Sequence, residues 1–118
     1  MALFSSRAAA EPGWITPEEL VPLLADAAGP LVIDVRGPDE FSGPLGHIDG
    51  ARNLPLDHIP AETEALKAET RPLILICHTD RRSAAAAHHL RGAGAADVTV
   101  VRGGMVAWHR AGLPASQR

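Results

Sequence analysis

A chain of 118 residues with 46% hydrophobic content predicts one domain with a real core, and two Trp, two Phe and no Tyr make that core aliphatic. A net charge of −3 supplies no basic field, which sets nucleic acid aside as a main partner. One cysteine excludes an internal disulfide, argues against a cysteine-based zinc site, and fits a reducing, cytoplasmic compartment.

Residues 1–13, MALFSSRAAAEPG, hold a short apolar patch without a charged n-region or a long apolar h-region. They read as a flexible leader rather than a secretory signal. No apolar run in the chain approaches the roughly 18 residues that span a bilayer. Trp14-Ile15 is a brief edge strand. Thr16-Pro17-Glu18-Glu19 starts a helix: Thr16 is the N-cap, Pro17 takes the first helical position, and Glu19 completes a capping box. Leu20, Leu23, Leu24 and Ala27 recur at helical spacing, and Gly29-Pro30 ends the helix.

Leu31-Val32-Ile33 opens a buried strand that ends in Asp34-Val35-Arg36. Residues 37–46, rich in glycine and proline, form a turn-rich excursion, and its Glu40 is placed to pair with Arg36. A turn through His47 to Gly50 leads into a short strand at 51–54. Pro60 to Glu69 has helix-forming composition, stopped by Arg71-Pro72.

Leu73 to Ile76 is an unbroken apolar run, the signature of a strand buried on both faces of a parallel sheet. Cys77 follows, then the polar loop His78-Thr79-Asp80-Arg81-Arg82, then Ser83 as N-cap of a helix opened by four alanines. The lone thiol is therefore placed at the carboxyl end of a buried strand below a helix start, the edge where ligands bind in open α/β sheets. The N-terminal partial charge of the helix and the guanidinium groups of Arg81 and Arg82 favour a thiolate or an anion resting on it. A small buried cysteine of no chemical consequence is the competing reading. Ala84, Ala86, Ala87 and Leu90 face inward, His88, His89 and Arg91 outward. The adjacent histidines do not share a helical face, so no metal is expected there. Asp97 to Val101 is a further strand, Arg102-Gly103-Gly104 a turn, and Met105 to Gly112 a short amphipathic helix. The alternation of strands and helices predicts an α/β fold with a mostly parallel sheet.

Three motifs carry a family resemblance. The first is Asp34-Val35-Arg36 with Glu40-Phe41, followed by Gly46-His47-Ile48-Asp49-Gly50-Ala51-Arg52-Asn53-Leu54-Pro55. The second is Cys77 through Ser83. The third is Arg102-Gly103-Gly104-Met105 with Trp108, Gly112 and Pro114. In this order and spacing the chain resembles the rhodanese-homology family, in particular its single-domain members, with a domain at 14–114 and a C-terminal tail at 115–118. The resemblance implies a three-layer α/β fold, a five-stranded mostly parallel sheet with helices on both faces.

It also implies a thiosulfate or persulfide sulfurtransferase needing no cofactor and no metal. Cys77 would be the nucleophile that carries the sulfur as a persulfide. His78, Thr79, Asp80, Arg81 and Arg82 would form the substrate-binding loop. Ser83, Asp34 and Arg36 would support it, with Asp34 and Arg36 bracing the loop from a neighbouring strand and His47 structural. The partners would be a small anionic sulfur donor and a cyanide or thiol acceptor. Alternatives are a sulfur relay loaded by a protein such as a cysteine desulfurase, and a non-catalytic regulatory domain. Cysteine-type phosphatases carry arginine at the position where Ser83 stands here, so the loop is short for a phosphate. Two residues depart from the common family pattern. Asp80 replaces glycine, where a left-handed backbone is expected and aspartate tolerates it; its charge is expected to offset Arg81 and Arg82 and to favour persulfide donors over dianionic thiosulfate. His78 replaces arginine and is a candidate general base.

Overall fold

The centre of the molecule is the run Leu73-Ile74-Leu75-Ile76, buried along its whole length. In this computed structural model, which describes residues 12–118, the predicted leader falls outside the described residues as far as Glu11. Five strands, β1 (Gly13–Ile15), β2 (Leu31–Asp34), β3 (Arg52–Asn53), β4 (Leu73–Ile76) and β5 (Val98–Val101), form one sheet in the order β1-β5-β4-β2-β3. Every pairing is parallel, with Asp34 opposite Ile76 and Leu75 opposite Val100. The expected α/β architecture is therefore present, and so is the brief edge strand at Trp14-Ile15.

Parallel strands require crossovers, and here the crossovers are helical. Helices α1 (Pro17–Leu24), α2 (Pro38–Phe41), α3 (Ile59–Lys67), α4 (Arg81–Gly92) and α5 (Gly104–Arg110) complete the chain, with a 3₁₀ turn at Leu56–His58. Alternate strand residues feed two cores. Ile33, Leu73, Leu75, Val98 and Val100 pack with Ile59, Leu66, Ala86, Ala87 and Leu90 from α3 and α4. Val32, Ile74, Ile76 and Val101 pack with Leu20, Met105 and Trp108 from α1 and α5. Helices thus cover both faces, as the buried strand pattern requires.

Three local expectations are corrected. The first helix carries the predicted capping box at Thr16 and Glu19 but ends at Leu24, before Ala27. Asp26 stops it: its N–H turns back to the Leu23 carbonyl and its side chain accepts the Ala28 N–H, a local turn that competes with the helix. Leu23, within the helix, is 43% exposed rather than facing the core. The excursion after Arg36 is not all turn, since it contains α2, with Pro38 at the first helical position and Glu40 Oε1 accepting the Gly37 N–H at 3.3 Å. Finally, α4 begins at Arg81, three residues ahead of the predicted start, so Asp80 rather than Ser83 occupies the N-cap position and Ser83 lies inside the first turn.

Candidate functional site

All strands run in one direction, so Asp34-Val35-Arg36 at the end of β2, Cys77 after β4 and Arg102-Gly103 after β5 emerge at one edge. Connections leave β2 toward β3 on one side and β4 toward β5 on the other. The gap between β2 and β4 is therefore the switch point of the sheet, where a crevice opens. A cleft of about 420 Å³ lies there, lined by Cys77, His78, Thr79, Arg81, Arg82, Leu56 and Ala85. A second hollow, of about 610 Å³, shares Leu56 and Arg82 with it and reaches Glu40 and Val35.

Cys77 forms the floor, with the residue only 1% exposed. Its Sγ accepts the Ser83 N–H at 3.3 Å and meets Ser83 Oγ at 3.2 Å. Ser83 Oγ is also 3.2 Å from the Asp80 carbonyl, to which it donates. The early helix start is what places these groups. With α4 beginning at Arg81, the Ser83 amide is one of the unpaired N–H groups of a first helical turn and is aimed at the sulfur.

The loop is backed by the turn after β5. Met105 N–H donates to the Cys77 carbonyl at 2.8 Å and Val106 N–H to the His78 carbonyl at 3.1 Å. Gly104 has φ +56°, and a Cβ there would strike the carbonyl oxygens of Cys77, His78 and Thr79. Asp80 Oδ1 accepts the Gly103 N–H at 2.8 Å. The backbone of Asp80 is at φ −127°, not left-handed, which corrects the expectation for that position. As N-cap of α4 it needs a negative φ, and the left-handed residues are Gly103 and Gly104 on the facing turn.

The charged residues pair differently from the sequence expectation. Glu40 does not pair with Arg36; it takes Arg82, Oε1 at 2.7 Å and Oε2 at 2.9 Å. Arg36 turns instead to Asp34, with Nε 2.9 Å from Oδ1 and Nη2 2.7 Å from Oδ2, and donates to the Gly46 carbonyl at 2.6 Å. Arg36 and Asp34 are both buried, and this two-point geometry with a further carbonyl is what offsets the desolvation of such a pair. They therefore brace the 37–46 excursion, not the cysteine loop directly. Asn53, which sequence reasoning passed over, holds the same corner by donating to the Asp34 and Arg36 carbonyls at 3.1 and 2.9 Å. His47 is structural: its ring stacks on Phe41 at 3.5 Å and Nδ1 lies 2.7 Å from the Phe41 carbonyl. Its backbone pairs with Ser116, so residues 115–118 lie against the domain.

The cleft thus gathers the predicted His78, Thr79, Arg81 and Arg82 around Cys77 and adds Leu56 and Ala85 as apolar walls. Asp80 points elsewhere, and Asp34 and Arg36 stand one element away. His78, Thr79 and Arg81 are exposed. Among the described residues, no helix is long and apolar enough to cross a membrane.

An uncharacterized protein of Synechocystis sp. is 38% identical over 84 residues, which is 71% of this chain, and the chain spans 45% of that relative's length. A protein of Allochromatium vinosum named a sulfurtransferase is 35% identical over 100 residues, covering 85% of this chain and 91% of that one. The crystal structure of a rhodanese-related protein from Thermoplasma volcanium superposes with a TM-score of 0.79 at 26% identity, covering 90% of this chain and 99% of the other. The family model for the rhodanese-like domain matches residues 16–111, and the chain belongs to that family.

Proposed function

We propose that this chain is a sulfurtransferase that moves a sulfane sulfur from thiosulfate or a persulfide donor, through Cys77, to a cyanide or thiol acceptor. The observation that carries this reading is the Cys77 sulfur itself. It lies at the floor of the cleft, with the Ser83 N–H and Oγ set on it at 3.3 and 3.2 Å. The Ser83 N–H donates to the sulfur and suits the nucleophilic thiolate, and equally the thiolate that departs when the sulfur is handed on. The Allochromatium vinosum relative, named a sulfurtransferase, supports the same reading.

In the first half-reaction the Cys77 thiolate attacks the outer sulfur of thiosulfate. A Cys77 S–S bond forms, the donor's S–S bond breaks, and sulfite leaves with the bonding pair. In the second half, the carbon of cyanide attacks the terminal sulfur. Thiocyanate departs and the Cys77 thiolate returns, so no outside oxidant or reductant is consumed. A thiol acceptor would take the same sulfur as its own persulfide. The mechanism predicts ping-pong kinetics. The test is thiocyanate formation from thiosulfate and cyanide, expected for the wild type and absent for Cys77→Ala.

A second reading, a relay loaded by a partner protein such as a cysteine desulfurase, is favoured by one detail. Arg82 is engaged by Glu40, which leaves Arg81 as the loop guanidinium without an ion pair among the described residues, a modest field for a dianion. Intact mass separates the two. A gain of one sulfur atom with thiosulfate alone supports the enzyme, and a gain only with a desulfurase and cysteine supports the relay. No gain with either donor sinks both.

A further inference from the structure

Asp80 is the residue between Cys77 and Arg82 that does not line the cleft. It is half-buried, and its carboxylate is directed to the opposite side, where Oδ1 accepts the Gly103 N–H at 2.8 Å. The start of the cysteine loop is held there by backbone alone, through Met105 N–H on the Cys77 carbonyl and Val106 N–H on the His78 carbonyl. At the end of the loop, just before α4, the tie is made by a side chain.

That tie reaches the sulfur in two short steps. The Asp80 carbonyl accepts the Ser83 hydroxyl at 3.2 Å, and Ser83 Oγ is 3.2 Å from Cys77 Sγ. The Asp80 carbonyl also accepts the Ala84 N–H at 2.9 Å, which opens α4. Any movement of residue 80 therefore shifts both the Ser83 hydroxyl and the helix turn whose amide faces the sulfur.

We propose that Asp80 is a positioning residue for Cys77. It works as the hydrogen-bond acceptor for the Gly103 N–H, clasping the end of the cysteine loop to the turn after β5, and not through its negative charge. The catalytic part of this inference rests on the sulfur-transfer reading. The clasp itself does not, and the two fail separately in the test.

Asp80→Asn keeps an oxygen acceptor and removes the charge, whereas Asp80→Ala removes both. Four readouts apply to the full chain: hydrogen exchange of the Gly103 amide by NMR, the rate of Cys77 alkylation by iodoacetamide, kcat and KM for thiosulfate with cyanide as acceptor, and the thermal melt. The clasp predicts that Asp80→Asn stays within about twofold of the wild type throughout, the scale of a weak net hydrogen bond. It predicts that Asp80→Ala exposes the Gly103 amide, alters the alkylation rate, and lowers kcat about two- to tenfold with little change in KM. Two results overturn it. One is that both variants lower the thiosulfate KM alike, which is the signature of charge. The other is that Asp80→Ala melts earlier yet keeps wild-type kcat and alkylation rate, which is the signature of a merely structural role. If wild-type protein transfers no sulfur, the sulfur-transfer reading falls, and the exchange and alkylation data still decide the clasp. Asparagine matching the wild type with alanine apart from both supports it; asparagine and alanine alike overturns it.

Discussion

Glu40 answers to Arg82 across forty-two positions of sequence. The Arg82 guanidinium on both its oxygens holds the Glu40 carboxyl down at about 2 from its ordinary 4.5, against the opposing effect of partial burial and with help from the Gly37 N–H. Arg82 is pushed up in return, chiefly by its hydrogen bonds to Glu40. In the unfolded chain Glu40 takes its proton near the ordinary value, while in the folded chain it resists until the pH is far lower. The contribution of the pair is therefore complete above about pH 4.5 and is lost as the pH falls toward 2. With side chains 36% and 40% exposed, that contribution is about 0–1 kcal/mol. Thermal melts of the wild type and Glu40→Gln should differ by a small amount at pH 6 and converge by pH 2; a gap that stays constant over that range would show the pair has no part in it. At this scale the sequence placed Cys77 at the end of a buried strand and shortly before a helix, because a lone thiol after an apolar run and before two arginines is a local pattern. It missed the true partners of Glu40 and Arg36, which are set by how separate elements meet. It also misread Ser83 as a cap. Arg81 and Arg82 are good helix formers, which is the signal that the helix starts earlier and that Asp80 is the cap.

The turn after β5 is the element on which the cysteine loop depends. Gly103 and Gly104 both have positive φ, and Gly104 also stands against three loop carbonyls. Gly104→Ala would combine backbone strain with a clash that only backbone movement can relieve, and should cost about 1–3 kcal/mol or more. Gly112 is a suitable control: its φ is +71°, but nothing lies within 4 Å of a Cβ built there. Gly112→Ala should therefore lower the melting temperature less than Gly104→Ala, and it should leave thiocyanate formation intact where Gly104→Ala impairs it. Equal effects of the two on activity would mean that the close approach of Gly104 to the loop is unimportant. Elements were legible in kind and less so in extent. The capping box at Thr16 and Glu19 announced α1, yet its early stop at Asp26 arises from a local turn that helical spacing does not register. The short α2 was hidden within a stretch whose glycines and prolines read as turn.

Across the whole molecule, two apolar layers share one sheet. Leu75 and Ile76 are neighbours in β4, fully buried, and belong to different layers. Leu75→Ala and Ile76→Ala should each cost about 2–5 kcal/mol. Because both layers are built on the same strand, each variant should shift a single transition, seen together by far-UV circular dichroism and by the fluorescence of Trp108, which α5 buries against the sheet. Separate transitions for the two probes would show that the layers unfold independently. The parallel α/β class was readable from the uniform burial of residues 73–76 and the alternation of elements. The strand order was not, since it depends on which side of β2 and β4 each crossover runs.

The contact between Gly104 and the cysteine loop has a consequence on the loop's other side. A trans peptide unit is a flat plate, with its N–H pointing opposite to its own carbonyl. The plates joining Cys77 to His78, His78 to Thr79 and Thr79 to Asp80 all turn their oxygens toward Gly104 and the start of α5. Their hydrogens, on His78, Thr79 and Asp80, must therefore point away from Gly104. A concave row of amide hydrogens is a receptor for an anion. By leaving room for those oxygens, a residue with no side chain lets the positive ends of three dipoles face away from it, the orientation that the charge on a persulfide's terminal sulfur would call for under the proposed chemistry.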